Sequence, residues 1–590
     1  MAVLKIVPKL YQEKISEKLK EEISLVTTGE AKYYNRLYKF FQYTDIQCTA
    51  DINYETRKMY MDSLEKEDIS EKYKVYIDTE DLMKEKYKAE LLSLFDRLKI
   101  ENMPDVYSQG NPFSVEQEFF KQDKLFLLYV PNKKKAQSFR QVVDKNDLLW
   151  DLTRIHSSQL VRQTKILLCE ILNMDKVQRH RRYFLEPLKA LVRFCDKYGI
   201  DDIEEMEQAD ENRFYLYLNK ESEIIKKQAS KIVEFARRTL FLTDSEINWQ
   251  ACIWYMDRFQ FDKSRINASS PVKSLSFINI YEKENRWYLQ LYAKYLVGIS
   301  DLSLSNIRNT ISFISQFLKY LDGQSKKVTE LEIQDIADYV SILDVSDIKY
   351  STFNRYITHI HTFLQFLKMK NIEVLKFYPE RFLKKGFPEH NERSVPEKTI
   401  AHLIKELPAF PEHLQLMYLI LFCTGIRKSE VCTIKSGAFY SQGNENWMRI
   451  YQSKMRREKV IPVPSLLVGL VNDYEKKYGI KNGEYLFKNK KGGAFNGQTF
   501  SNQMIRECKA RGIACGDYIF RAHDYRHNLA TSMYGNGVSI QGVRDYLGHS
   551  SENMTKQYID FMPERIVSAE DKYFSRNQSF KLKGVEDDER

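Results

Sequence analysis

The sequence predicts a mainly α, multi-domain protein with one small β-sheet near its C-terminal end. Three observations carry this. The 590 residues include only 22 glycines and 14 prolines, roughly half the usual share. Apolar residues recur at three-and-four spacing along most of the chain. Only after Pro396 does that spacing give way locally to the alternation of strands. At roughly 100–200 residues per domain the length predicts three to five domains, each able to bury a core. With 43% hydrophobic and 13% aromatic residues the chain is neither collagen-like nor low-complexity nor wholly disordered.

From residue 1 to about 270 helix follows helix, as in Phe184, Leu188, Leu191 and Cys195. Breaks fall at Asn102-Met103-Pro104, Gly110-Asn111-Pro112 and Pro131 to Lys135. Linkers are expected at Asn267 to Pro271 and at 376–394, where Ser394 and Glu397 form a capping box that should open a new helix. Between them lies a helical module over 284–375. One helix carries Ile307, Ile311, Ile314 and Leu318, a short helix spans Leu331 to Leu343, and a last helix carries Tyr356, Ile360, Phe363 and Leu367.

The order helix, acid-Ile segment, helix recurs upstream around Asp202-Ile203 and, more weakly, around Asp51-Ile52. On this reading the 1–270 extension holds up to two further modules, about 1–130 and 150–270. For the first copy, coincidence in an amphipathic helical chain is the favoured reading.

Charge and cysteines narrow the function classes. With 91 basic and 81 acidic residues the net charge is +10, which permits nucleic acid without demanding it. The eight cysteines form no C-x-x-C pair, so neither a disulfide framework nor a zinc motif is expected. The most apolar stretch, Leu414 to Cys423, is about half of a membrane span, and the N-terminus lacks an extended apolar leader. A soluble, cytoplasmic protein without membrane contact is expected.

The chemistry gathers after residue 395. A buried helix, Leu414 to Leu421, runs into Thr424-Gly425-Ile426-Arg427, where the glycine breaks the helix and leaves Arg427 at the start of the next. Alone, Arg427 reads as a surface salt-bridge residue. Strands Trp447 to Tyr451 and Val460 to Val463 flank a tip with Lys454, Arg456, Arg457 and Lys459, four cations in six positions. Such a tip should not fold back on protein, because like charges repel unless a polyanion receives them; a solvated turn is the equal alternative. On the next helix His523 and Arg526 lie one turn apart, Leu529 and Met533 face inward, and Gly535-Asn536-Gly537 ends it. Ser539 caps a short helix that Gly548 stops before His549, and Tyr558 follows. Alone, that histidine is a surface cap and that tyrosine a half-buried core residue.

In this order, Arg in a glycine turn, Lys on a hairpin, His-x-x-Arg, Leu-Gly-His and Tyr, the residues closely resemble the tyrosine recombinases, or phage-type integrases. The resemblance covers about 395–575, and the module before it is similar to that family's SAM-like core-binding domain. It implies a mixed α+β catalytic domain over 395–575 and a polar tail over 576–590. It implies the catalytic set Arg427, Lys454, His523, Arg526, His549 and Tyr558, with Lys459 near enough to compete with Lys454. The arginines would stabilise the phosphate, Tyr558 would attack it, Lys454 would protonate the departing 5′ oxygen, His523 would hold the tyrosine proton, and His549 would donate to the phosphate. No cofactor or metal is called for; Glu430 is read as structural.

Double-stranded DNA is the expected partner, gripped further by Arg456, Arg457 and Lys459 and by the cluster Arg179, Arg181 and Arg182. Homo-oligomers are expected, a dimer on one site and a tetramer in synapsis, with a docked helix over 564–574; other element-encoded recombinases or helper proteins would join them. The long helical extension looks like that of transposases from mobile elements using several such recombinases. The alternatives are a type IB topoisomerase-like enzyme and a catalytically idle DNA-binding subunit of a transposition complex.

Overall fold

A computed structural model describes residues 15–28, 30–66, 77–103, 118–142, 144–174, 178–220, 223–386 and 393–556. The chain is mainly α and divides into two compact units, residues 1–254 and 255–590.

The first unit opens with α1 (Glu17–Thr27), α2 (Ala31–Phe41), a 3-10 turn at Thr49–Asp51, α3 (Tyr54–Lys66) and α4 (Ile77–Glu101). Strands β1 (Lys124–Phe126) and β2 (Leu149–Asp151), antiparallel with Leu125 opposite Trp150, bracket a short α5 (Lys133–Gln137). This small sheet was not foreseen in a segment read as helical. The unit continues with α6 (Ser158–Asn173), α7 (Gln178–Tyr198), a 3-10 turn at Ile203–Glu205, α8 (Gln208–Tyr217) and α9 (Glu223–Thr243). Apolar faces from Ile15 to Leu240 merge in one core cluster. Leu188, Leu191 and Cys195 of α7 are fully buried in it, as their spacing predicts.

At the junction β3 (Ile253–Tyr255) follows, and the second unit proceeds through β4 (Ser274–Ser276) into α10 (Lys283–Gly298), α11 (Leu304–Gly323), a 3-10 turn at Val328–Glu330, α12 (Ile333–Val345) and α13 (Tyr350–Met369). Ile307, Ile311, Ile314 and Leu318 pack inside, as do Tyr356, Ile360, Phe363 and Leu367. The expected linker at Asn267 to Pro271 is exposed at Ser270 and Pro271 and packed at Ser269. Ser269 is buried, and its carbonyl accepts a 3.0 Å hydrogen bond from the Gly497 N–H. Just before it, Arg265 donates to the carbonyls of Leu296, Val297 and Leu302, closing the C-terminal end of α10.

Helices α14 (Glu397–Glu406), α15 (Glu412–Thr424), α16 (Lys428–Cys432), α17 (Ser465–Tyr478), α18 (Gly497–Ala510), α19 (Ala522–Gly535), α20 (Ile540–Leu547) and α21 (Glu552–Lys556) surround a three-stranded antiparallel sheet. The sheet order is β5 (Phe439–Gln442), β6 (Glu445–Gln452), β7 (Arg457–Pro462). Two expectations change here. Ser394 is not the N-cap of α14: Pro396 is, at φ −55° and ψ 139°, and it makes no side-chain cap. Its ring also disfavours a helical conformation at Val395 before it. The sheet also has a first strand, β5, that the sequence reading missed. Among the described residues no helix is long and apolar enough to cross a membrane.

Candidate active site

Helix punctuation places the central groups. Helix α15 ends at Gly425, whose φ of +57° puts it in the left-handed region; a Cβ there would sit 2.7 Å from Leu529 Cδ2. The chain reverses, and Arg427 becomes the N-cap of α16. Its N–H donates to Glu430 Oε2 (2.9 Å) and its Nη1 to Glu430 Oε1 (2.8 Å). Glu430 is buried, so its charge is held by that arginine and by the start of α16. The other terminal nitrogen, Nη2, is buried and has no hydrogen-bond partner among the described residues.

Arg526, on α19, is 1% exposed. Its Nη1 donates to the Gly425 carbonyl (2.8 Å) and its Nη2 to the Leu547 carbonyl (2.6 Å). Both acceptors stand at helix C-terminal ends, α15 and α20, where carbonyls lack intrahelical partners and the helix dipole is negative. One guanidinium thus clamps two turns and is itself fixed.

Ser539 caps α20, accepting from the Gly542 N–H (3.1 Å), and Gly548 ends it at φ +71°. His549 follows at once, 3% exposed, its Nδ1 3.1 Å from Thr555 Oγ1. Burial, then the charges of Arg526, Arg427 and Lys459, push its pKa down to about 3. His523 is open to solvent on one side. Protein packed round the other side, then His527, Arg526, Arg393 and Arg427, push it down to about 4. Both rings are therefore neutral at pH 7.

The hairpin corrects the sequence expectation most. Two of its four cations fold back on protein. Arg456, at φ +53°, pairs with the carboxylate and carbonyl of Asp301 in the α10–α11 loop. Lys459 turns inward and donates to the Tyr546 carbonyl. Burial, then Arg526 and Arg427 with Glu430 opposing, push its pKa down to about 7. Lys454 stands exposed on the turn, and Arg457 is exposed on β7.

Strand alternation explains the inward lysine. Ile461 is buried on β7, and Lys459, two residues before it, shares its face. By the same count Met448 and Ile450 on β6 lead to Gln452, a fully buried amide that sequence reasoning missed. Neither polar atom of Gln452 has a partner among the described residues, and Gly548 leaves it room: a Cβ there would come within 2.5 Å of its Oε1.

Arg427, His523 and Arg526 meet at a cleft of about 500 Å³ that is lined also by Lys428 and Gln498 and by Asn267, Ser269 and Ser270 before α10, while Lys459 and His549 lie near enough for Arg427 and Arg526 to shift their pKa values. The structure therefore gathers Arg427, His523, Arg526, His549 and Lys459. Tyr558 and the 564–574 segment lie outside the described residues, the last of which is Lys556. Arg179, Arg181 and Arg182 fall on α7, and their side chains are outside the description.

Comparison with known proteins agrees with this region of the chain. Residues 393–565 match the model of the phage integrase family. Over 340 residues the chain is 27% identical to transposase B from transposon PsiTn554 of Staphylococcus aureus, a match covering 55% of this chain and 53% of that protein. It thus spans about half the length of that relative. It is also 24% identical to a tyrosine recombinase of Pseudothermotoga lettingae, over 48% of this chain and 96% of that one. Among solved structures, the XerH site-specific recombinase bound to its difH substrate aligns over 52% of this chain and 93% of its own, at 16% identity and a TM-score of 0.38.

Proposed function

We propose that the chain cleaves and rejoins DNA strands through a 3′-phosphotyrosyl intermediate, as a transposase or integrase of a mobile element, a reading supported by the match of residues 393–565 to the phage integrase family. The observation that carries this is the convergence of cations around one buried donor that finds no acceptor among the described residues. Arg427 Nη2 is buried and unpartnered beside a guanidinium fixed by two carbonyls and a lysine with a pKa of about 7. Buried donors without acceptors are rare and costly. A phosphodiester would supply the acceptors.

In this reading the Tyr558 oxygen attacks phosphorus, the bond to the 5′ oxygen breaks, and the DNA 3′ end stays on the tyrosine. His523, neutral at pH 7, takes the tyrosine proton. Arg427 and Arg526 stabilise charge on the non-bridging oxygens, already in place and so without reorganisation. His549 donates to the same phosphate. Lys454, on the exposed turn, reaches the departing 5′ oxygen from the DNA side and protonates it. Lys459 adds a third charge from the protein side. Attack by a 5′ hydroxyl on the phosphotyrosine reverses every bond change, so no energy source is consumed. One tyrosine cuts one strand, so exchange between duplexes needs further copies of the chain.

The test is a set of duplexes nicked beside the cleavage position, so that the short 5′ product diffuses away and traps the adduct. A covalent complex at the DNA 3′ end, absent from Tyr558→Phe, is expected. No adduct on any duplex, or one that survives in that variant, would sink the reading.

A further inference from the structure

One arrangement of elements occurs three times. Two helices, a 3-10 turn and two more helices make up residues 17–101, then 158–243, then 283–369. The first copy, read from sequence as coincidence, has the full order. A non-local hydrogen bond marks each copy. In the first, the N–H of Thr49, opening the turn, donates to Glu22 of α1 (3.1 Å). In the second, Ile203 opens the turn and donates to Gln163 of α6 (2.9 Å). In the third, Val328 does so to Asn285 of α10 (2.9 Å).

Each time a polar side chain of the first helix satisfies the first orphan N–H of the turn, across 27, 40 and 43 residues. An aromatic pair then joins second helix to third: Phe40 with Tyr60, Phe194 with Phe214, Phe317 with Tyr339, at centroid distances of 4.9, 5.2 and 5.1 Å. Amphipathic helices alone do not place a side-chain acceptor from the first helix at the same turn three times.

Charge is partitioned within the two upstream copies, where the second helix is the most positive of the four. Helix α2 has Lys32, Arg36 and Lys39 and no acid; α7 has six cations against Glu186 and Asp196; α11 has Arg308 and Lys319 and one acid, Asp322. The third helices are not positive: α12 carries Asp335, Asp338 and Asp344 without a cation, and α8 carries Asp210 and Glu211 with Arg213. Tyrosines interleave the cations on α2, and Lys32, Lys39, Arg193 and Lys197 are exposed.

We infer that the chain is built on three copies of one helical module and that the two upstream copies bind the backbone of duplex DNA through α2 and α7. This deepens the proposed function and rests on it. If the second unit holds DNA, modules tethered to it meet the flanking duplex at high effective concentration, so modest contacts suffice. Cations spread along a helix face and interleaved with aromatics match a phosphate backbone, which offers an acceptor at every step.

The test uses the full chain with random-sequence duplexes of 20 and 60 base pairs, with affinity measured by fluorescence anisotropy across a salt series. On the longer duplex the wild type is expected to show the steeper salt dependence. K32E/K39E and R193E/K197E should each flatten that slope by about one to two units and weaken binding at least 10-fold. The neutral variants K32Q/K39Q and R193Q/K197Q should do the same in part. K58E/K121E, with the same net charge change on other faces, should keep the slope, and all variants should retain the wild-type melting curve.

Wild-type slopes in K32E/K39E and R193E/K197E, or an equal loss in K58E/K121E, would overturn the proposal. So would unchanged DNA binding together with lost self-association in native mass measurements, which would assign these faces to protein contacts. A wild type that binds the long duplex as described but never forms a covalent adduct would instead fail the proposed function alone.

Discussion

The helical floor of the cleft and the hairpin beside it hold their cations by opposite means. On the floor, Arg427 and Arg526 are locked by a buried carboxylate and by two helix-end carbonyls. On the hairpin, Lys454 stands on an exposed turn while Lys459 is drawn inward and Arg456 is tied to Asp301. The floor is preorganised, so its loss should affect chemistry far more than binding. The hairpin can rearrange against a ligand, so its residues should separate according to the step each serves.

The largest effect should come from the floor. Changing Arg427 to Ala or Arg526 to Lys is expected to slow cleavage by about 100-fold or more, with DNA affinity within a few-fold, because many backbone contacts share the binding energy. Single-turnover cleavage on nicked duplexes checks this; a wild-type rate in either variant would break the contrast.

Next come the two lysines. Lys454→Ala and Lys459→Ala should each cut the rate by roughly 100-fold on normal DNA. A substrate with sulfur in place of the bridging 5′ oxygen has a leaving group that needs no proton. It should restore Lys454→Ala and leave Lys459→Ala slow. The reverse pattern would make Lys459 the proton donor.

Acid should weaken the floor before it disturbs the hairpin. His549 titrates near 3 in the folded chain and near 6.5 when unfolded, so below 6.5 the unfolded state binds more protons and stability falls as pH drops. At pH 5 this one group removes about 2 kcal/mol relative to pH 7.5. Calorimetric melting should show a drop of a few degrees for the second unit, reduced in His549→Gln. A flat profile would contradict the buried neutral ring.

What was legible in the sequence follows the same division. Groups placed by helix punctuation were readable, because Gly425, Ser539 and Gly548 fix where a helix stops and what comes next. Hairpin groups were harder. The cluster of cations drew the eye to charge, while the deciding signal was parity: Ile461 fixes Lys459, and Ile450 fixes Gln452, each by a step of two. β1, β2 and β5 escaped because three or four residues are too few for a period to show among helices. The packing at Ser269 escaped for another reason. The Asn-Ala-Ser-Ser-Pro composition around it is that of a loop, and composition does not say what a loop leans on.

The Arg526 clamp also bears on the order in which this region assembles. Its carbonyl partners lie 101 residues before it and 21 after it, so the clamp ties together segments that are far apart in sequence. During synthesis the helices upstream, rich in local contacts, emerge and fold first. A chain still on the ribosome can hold structure there, yet the proposed active site stays unassembled until residues beyond Leu547 are free to close it.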